Sequence, residues 1–164
     1  MYMEEKRMNT LKIENKDYDF EYTFEACECK NLVQLAFQFV SESYYVKNKD
    51  LSEVDSAITT GDVLIGTSEM MADLPRLCRY AFDAGLKEHY SFTEDETKAL
   101  MKTYMRENKI SFRDLWEELK KFMENDGFFE LTGMSQFLTV EEEQKEPEQL
   151  KLPQDHKKKT STKK

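Results

Sequence analysis

A chain of 164 residues is long enough for one domain with a real core and too short for two of ordinary size. Charged residues make up 35% of it and the formal net charge is -9, so a nucleic-acid surface would have to be built against the field of the whole molecule, and no nucleic-acid partner is expected. No apolar run approaches the roughly 18 residues of a membrane span, and Glu4, Glu5, Lys6 and Arg7 open the chain with no apolar stretch behind them, so neither a membrane nor a secretory signal is expected.

In chain order, residues 1–9 fit no element and are expected to be flexible. Thr10 to Phe24 carries a β signal: Leu11 and Ile13 alternate with polar residues, then Tyr18, Phe20, Tyr22 and Phe24 alternate with Asp19, Glu21 and Thr23. Asn15-Lys16-Asp17 supplies the turn between the two runs. Two strands alone are marginal, so the hairpin must lie on something. From Ala26 the apolar spacing becomes helical, with Cys29, Leu32, Val33, Ala36, Phe37 and Val40 in a stripe that Leu35 and Phe39 widen, which predicts a central helix. Leu51 to Ile58 could form a short helix that Thr59-Thr60-Gly61 breaks, and Val63-Leu64-Ile65 between Gly61 and Gly66 fits either a short strand or a buried loop.

Thr67 or Ser68 can cap the next helix, with Met70, Met71, Leu74, Leu77, Cys78, Ala81 and Phe82 inward and a restart near Asp73 because Pro75 lies within the pattern. Thr93 with Glu96 reads as a capping box for a helix to about Asn108, carrying Leu100, Met101, Tyr104 and Met105 on one side. Ser111 with Asp114 opens another, whose apolar face is Phe112, Leu115, Trp116, Leu119, Phe122 and Met123, and Gly127 offers its stop. The predicted fold class is therefore α+β, mainly α: an N-terminal β-hairpin packed on a bundle of about four to five helices, in a single domain over 10–138. Beyond it, residues 139–164 have too little apolar surface to offset the entropy of ordering and are expected to be a disordered charged tail. Charge divides at the same place: residues 1–140 hold 27 acids and 17 bases, the remainder 6 acids and 7 bases, so the body is the acidic part.

Chemistry-bearing residues are sparse. Cys27-x-Cys29 is the nearest thing to a metal half-site, but a zinc site needs four ligands and only Cys78, His89 and His156 remain to complete one. Three cysteines without an export signal fit reduced thiols in a cytoplasm. His89 stands at a predicted helix end, and neither histidine has a nucleophile or acid at a readable spacing. Glu124-Asn125-Asp126-Gly127 has the look of a calcium loop, yet the frame that puts Gly127 at position 6 starts at Phe122 and puts Gly133 at 12, where a glutamate is required. No glycine spacing cradles a nucleotide, so no cofactor, no metal and no enzymatic activity are expected. What remains is an apolar cluster after the last clear helix: Phe128, Phe129, Leu131, Met134, Phe137 and Leu138. It can fold back on the core, as aromatics generally do, or dock a protein partner. Phe128, Phe129, Leu131, Met134 and Phe137 are the candidate partner-binding residues.

Leu11-Lys12-Ile13-Glu14-Asn15-Lys16-Asp17-Tyr18-Asp19-Phe20 followed by helices resembles the N-terminal hairpin of the phage tail assembly chaperones, which are encoded between the major tail protein and the tape measure protein in long-tailed phages of Gram-positive bacteria. Gly66 to Leu86, with its Met-rich start, Pro75 and an Ala-Phe-rich helix, is similar too, as are the Thr-Glu-Asp-Glu capped helix and Phe112 to Phe122 with Leu115, Trp116 and Leu119. Together these stretches cover about residues 8 to 130. The resemblance implies a chaperone in the bacterial host cytoplasm that binds and solubilises the tape measure protein, recruits the tail tube protein and can form a homo-oligomer. A small bacterial or mobile-element helical adaptor, binding a protein partner through the same apolar segment, is the alternative.

Overall fold

The computed structural model describes residues 8–41, 43–45 and 58–137. Strand β1 (Asn9–Ile13) pairs antiparallel with β2 (Lys16–Phe20), with Leu11 opposite Tyr18 and Asn9 opposite Phe20. The expected hairpin is present, but its turn is Glu14-Asn15 rather than Asn15-Lys16-Asp17. Both turn residues have positive φ, 50° and 63°, the type I′ pattern whose twist matches the strands it joins. Lys16 and Asp17 thereby become strand residues, and Asn9 joins β1 instead of the expected flexible start.

The second strand also ends earlier than Phe24: the ladder closes at Asn9 opposite Phe20, and the next backbone donors turn to the helices. The backbone of Glu21 donates to the Gly85 carbonyl at 2.9 Å, and that of Tyr22 to the Asp126 carboxylate at 2.9 Å. Alternation persists one step past the ladder, so Tyr22 is wholly buried; Phe24 opens the short helix α1 (Phe24–Cys27) and stands 75% exposed.

Helix α2 (Lys30–Val40) buries Leu32, Leu35 and Ala36, as its broad stripe predicts, and leads into a 3₁₀ turn, Ser43–Tyr45. Helix α3 (Thr60–Leu86) departs most from expectation. Thr59, not Thr67 or Ser68, is its N-cap; its hydroxyl and the Asp62 carboxylate form a reciprocal capping box, and Gly61 lies inside the first turn instead of breaking the chain. Val63, Leu64 and Ile65 are therefore helical and exposed, neither strand nor buried loop. Pro75 does not restart the helix. It removes the N–H that would reach the Met71 carbonyl, but Met71 lies on the solvent side, where water can serve that group.

Helices α4 (Glu94–Asn108) and α5 (Phe112–Asp126) begin at the two predicted capping boxes, Thr93/Glu96 and Ser111/Asp114. Gly127 ends α5 in the left-handed conformation at φ 76°, and the single turn α6 (Phe128–Leu131) follows. The architecture is α+β, mainly α, as expected, with the hairpin, α2, α4 and α5 all set against α3. Of the expected features, the Leu51–Ile58 helix and the tail from 139 fall outside the described residues, Ile58 excepted, which is exposed and non-helical.

The tightest packing lies where the chain leaves β2. A Cβ on Gly85 would stand 2.6 Å from the Phe20 ring and 2.7 Å from that of Tyr22, so only glycine admits them. The Tyr22 hydroxyl donates to the Ala81 carbonyl at 2.8 Å, and burial pushes its ionisation well above the ordinary tyrosine range. Asn9 Nδ2 donates to Asp126 at 2.9 Å, and Asn125 Nδ2 donates to Asn9 Oδ1 at 3.2 Å. The hairpin is thus fastened to both α3 and the end of α5.

Gly85→Ala is expected to destabilise by about 1–3 kcal/mol through overpacking, and Trp116→Ala, buried against Phe39, by about 3–5 kcal/mol; urea unfolding midpoints check both, and a near-neutral result at either places that residue outside the packed core. A second expectation concerns pH. Glu96 and Asp114 have their carboxyls held below the ordinary range, Glu96 first by the Thr93 backbone N–H and Asp114 first by the Ser111 hydroxyl. A lowered folded value means stabilisation that is complete above the unfolded carboxylate range and is lost as pH falls through the folded value. Glu96→Gln and Asp114→Asn should therefore lower the melting temperature at pH 7, and their deficit relative to wild type should vanish at about pH 2.

Candidate functional site

The sequence weighed Cys27 and Cys29 as a metal half-site, with Cys78, His89 and His156 the remaining ligand candidates. Cys27 ends α1 and Cys29 caps α2, both half-buried. Burial, then the neighbouring Cys29, raises the Cys27 thiol, while Lys87 Nζ lies 3.5 Å from the Cys29 sulfur. Cys78 is buried in α3, donates to the Phe112 carbonyl and is pushed up to about 12 by burial, so it stays a protonated packing group. Among the described residues no group of three His, Cys, Asp or Glu is placed to hold a metal. His89 lies in the turn after α3 with Nε2 3.2 Å from Glu21 Oε2, and His156 lies outside the described residues.

Asp126, the central member of the apparent calcium loop, is committed to the fold through its bonds from Tyr22 and Asn9. An open groove of about 310 Å³ between α2 and α3 is lined by Asn31, Gln34, Gln38, Asp73, Arg76 and Tyr80. Its charged pair, Arg76 and Asp73, stands 3.8 Å apart. Asp73 accepts the Tyr44 hydroxyl at 3.0 Å, so it is a docking point for the 3₁₀ turn.

The five candidate partner-binding residues divide. Phe128, Phe129 and Met134 are buried, Phe128 against the Tyr22 ring at 6.2 Å, which removes them from any surface and realises the alternative that the segment folds back on the core. The reason is local: Gly127 reverses the chain and α6 turns its first two aromatics inward. Leu131 and Phe137 remain half exposed, Phe137 resting edge-on against Phe37 at 5.3 Å.

The larger exposed apolar surface lies elsewhere, on the first half of α3. Leu64 is 68% and Met71 69% exposed, with Val63 and Ile65 exposed beside Leu64. At about 100° per residue, Leu64 and Met71 share a face with Cys78 farther along, so the seam that is core in the second half of the helix continues uncovered through the first. The opposite side is occupied. Gly66 lies under the 3₁₀ turn, where a Cβ would stand 2.6 Å from the Tyr45 ring and 2.8 Å from the Tyr44 carbonyl, and the Tyr45 hydroxyl reaches the Met70 sulfur at 3.7 Å. Sequence reasoning placed Met71 inside and left Val63-Leu64-Ile65 without a face. A visible signal was the charge: no lysine or arginine occurs between Lys49 and Arg76 in a chain holding 24 of them.

No described helix is long and apolar enough to cross a membrane. Comparison with protein-family models, with curated proteins and with solved structures finds no match.

The division between covered and uncovered apolar residues sets opposite outcomes for substitution. Leu64→Glu and Met71→Glu should change folding stability by no more than about 0.5 kcal/mol, whereas Phe128→Ala should cost about 3–5 kcal/mol. Urea denaturation of the three variants checks this, and a large loss at Leu64 or Met71 would mean that their side chains are covered in solution.

Proposed function

We propose that this chain is a non-enzymatic phage tail assembly chaperone, which binds and solubilises the tape measure protein in the host cytoplasm and helps recruit tail tube subunits. The observation that carries the reading is the uncovered apolar run of α3, Val63, Leu64, Ile65 and Met71, on a body whose core is closed without it. The hairpin-then-helices order over residues 9–126, on which the resemblance rests, supports it as well. A holding chaperone needs an apolar surface that folding does not consume, and enough like charge to keep the loaded complex apart from its neighbours. The net charge of -9 supplies the second requirement. An elongated helical client with an apolar stripe would lie along such a surface in the helix-in-groove mode, each chaperone covering a short length.

Co-expression with a tape measure protein of a long-tailed phage tests the reading. The client should move from the insoluble to the soluble fraction and co-purify with the chain. A client equally insoluble with and without it would exclude the chaperone role, and capture of an unrelated regulatory protein in its place would support the adaptor alternative.

A further inference from the structure

We propose that the outward face of α4 docks an acidic segment of a partner protein, whose carboxylates, spaced along one side, pair with Lys98, Lys102, Arg106 and Lys109. The inference goes beyond the chaperone reading and does not depend on it.

In a chain with 33 acids against 24 bases, α4 gathers its bases on one side. At about 100° per residue, Lys98, Lys102, Arg106 and the cap residue Lys109 fall within about a quarter of the circumference, away from the buried Thr97, Met101 and Tyr104, and all four are exposed. The other sides of α4 are occupied. Glu94 meets Arg79 of α3 at 3.6 Å, the Tyr104 hydroxyl donates to Glu118 of α5 at 2.7 Å, and Glu107 accepts the Glu14 backbone N–H of the hairpin turn at 3.1 Å. Among the described residues none of the four bases has an ion pair, and Asp95, in the first turn where the dipole favours an acid, is the one carboxylate in their sector. Lys98 with Lys102, and Lys102 with Arg106, are like charges four residues apart, an arrangement that works against the helix. The dipole accounts for Arg106 and Lys109 at the C-terminal end but not for Lys98 and Lys102. Folding gains nothing from the row, and anions from outside would relieve it.

The bases recur about 6 Å apart over a length of about 16 Å, which a short acidic polypeptide segment matches with one carboxylate per base. Nucleic acid fits less well. A duplex carries a charge about every 1.7 Å, so most of its phosphates would face the acidic remainder of a body with net charge -9. No exposed aromatic stands among the four bases on α4 to stack a single strand. A second copy is disfavoured because the described helices keep their closely spaced acids for themselves: Asp62, Asp73, Asp114 and Glu118 are bound by Thr59, Tyr44, Ser111 and Tyr104. Helix α2 carries none. Four exposed pairs make a contact that forms fast and weakens with salt.

The test titrates the full chain with a helical peptide bearing Glu at every fourth residue, its Gln and Lys counterparts, a single-stranded oligonucleotide of the same charge, and a peptide of residues 138–164. Expected is binding of the Glu peptide and not of its Gln or Lys counterparts, with amide chemical-shift changes concentrated in residues 95–109 and affinity falling as salt rises. The triple variant Lys98→Gln/Lys102→Gln/Arg106→Gln should bind it at least about tenfold more weakly and melt as wild type does, since these bases hold no partner within the fold. Undiminished binding by the variant, shift changes centred elsewhere, or equally tight binding of the Gln peptide would each overturn the proposal. A variant that melts well below wild type overturns it as well, because the bases then serve the fold. So would tighter binding of the oligonucleotide or of the 138–164 peptide at the same residues, or a wild-type dimer that the variant converts to monomer, since each gives the face a different occupant.

Discussion

The seating of Tyr22 against Gly85 is the contact on which the arrangement depends. A two-stranded ladder is marginal in water on its own, and this one closes at Asn9 opposite Phe20. Beyond that point the backbone bonds to α3 at Gly85 and to α5 at Asp126, and the Tyr22 ring fills the gap that glycine leaves open. Its hydroxyl, taken out of water, is satisfied by the Ala81 carbonyl, so the largest fully buried side chain carries no unmet polar group. Sheet and helices share one core because of this crossing, with Phe20 meeting both Phe82 of α3 and Phe122 of α5.

From that crossing the two halves of α3 acquire different lives. The second half, from Leu77 to Leu86, is surrounded by the hairpin, α2 and α5 and is nearly all buried. The first half meets the 3₁₀ turn on one side and presents Val63, Leu64, Ile65 and Met71 to solvent on others. Pro75 lies between the halves. A proline inside a helix ordinarily costs about 3 kcal/mol, and here the first half is held by a capping box at Thr59 and by Gly66 under Tyr44 and Tyr45. Local cap and local contact keep the helix whole across the break.

How much of this was legible follows from where each determinant lies. The boxes Thr93/Glu96 and Ser111/Asp114 were readable because donor and acceptor are three residues apart and the apolar period begins at once. The Thr59/Asp62 box has the same form, but a threonine pair followed by glycine reads as a break unless the 3₁₀ turn that Gly66 accommodates is known. Pro75 within the pattern suggested a restart near Asp73, and without the Thr59 cap Val63-Leu64-Ile65 read as a short strand or buried loop. The hairpin was found and its turn displaced, since Glu14 at positive φ is an unfavourable choice that propensity does not suggest, and its backbone N–H is met by Glu107 from the distant α4. In the Phe128 to Phe137 segment, composition showed apolar content but not direction; Gly127 sets the direction, sending Phe128 and Phe129 inward and leaving Leu131 out.

Exposed apolar residues on a soluble surface are ordinary when scattered, so the weight of Leu64 and Met71 comes from what surrounds them. More than one residue in three of this chain is charged, and a lysine or glutamate at either position would suit both helix propensity and water. Folding gains little from the residues that stand there, because their side chains meet solvent. They also lie in line with Cys78, at the spacing a core seam requires, on the side of the helix away from its acids. Burying a pair of such side chains against an apolar stripe would contribute on the order of 3–5 kcal/mol before the losses of association are counted. That magnitude is consistent with a reversible holding contact and too small for a permanent one.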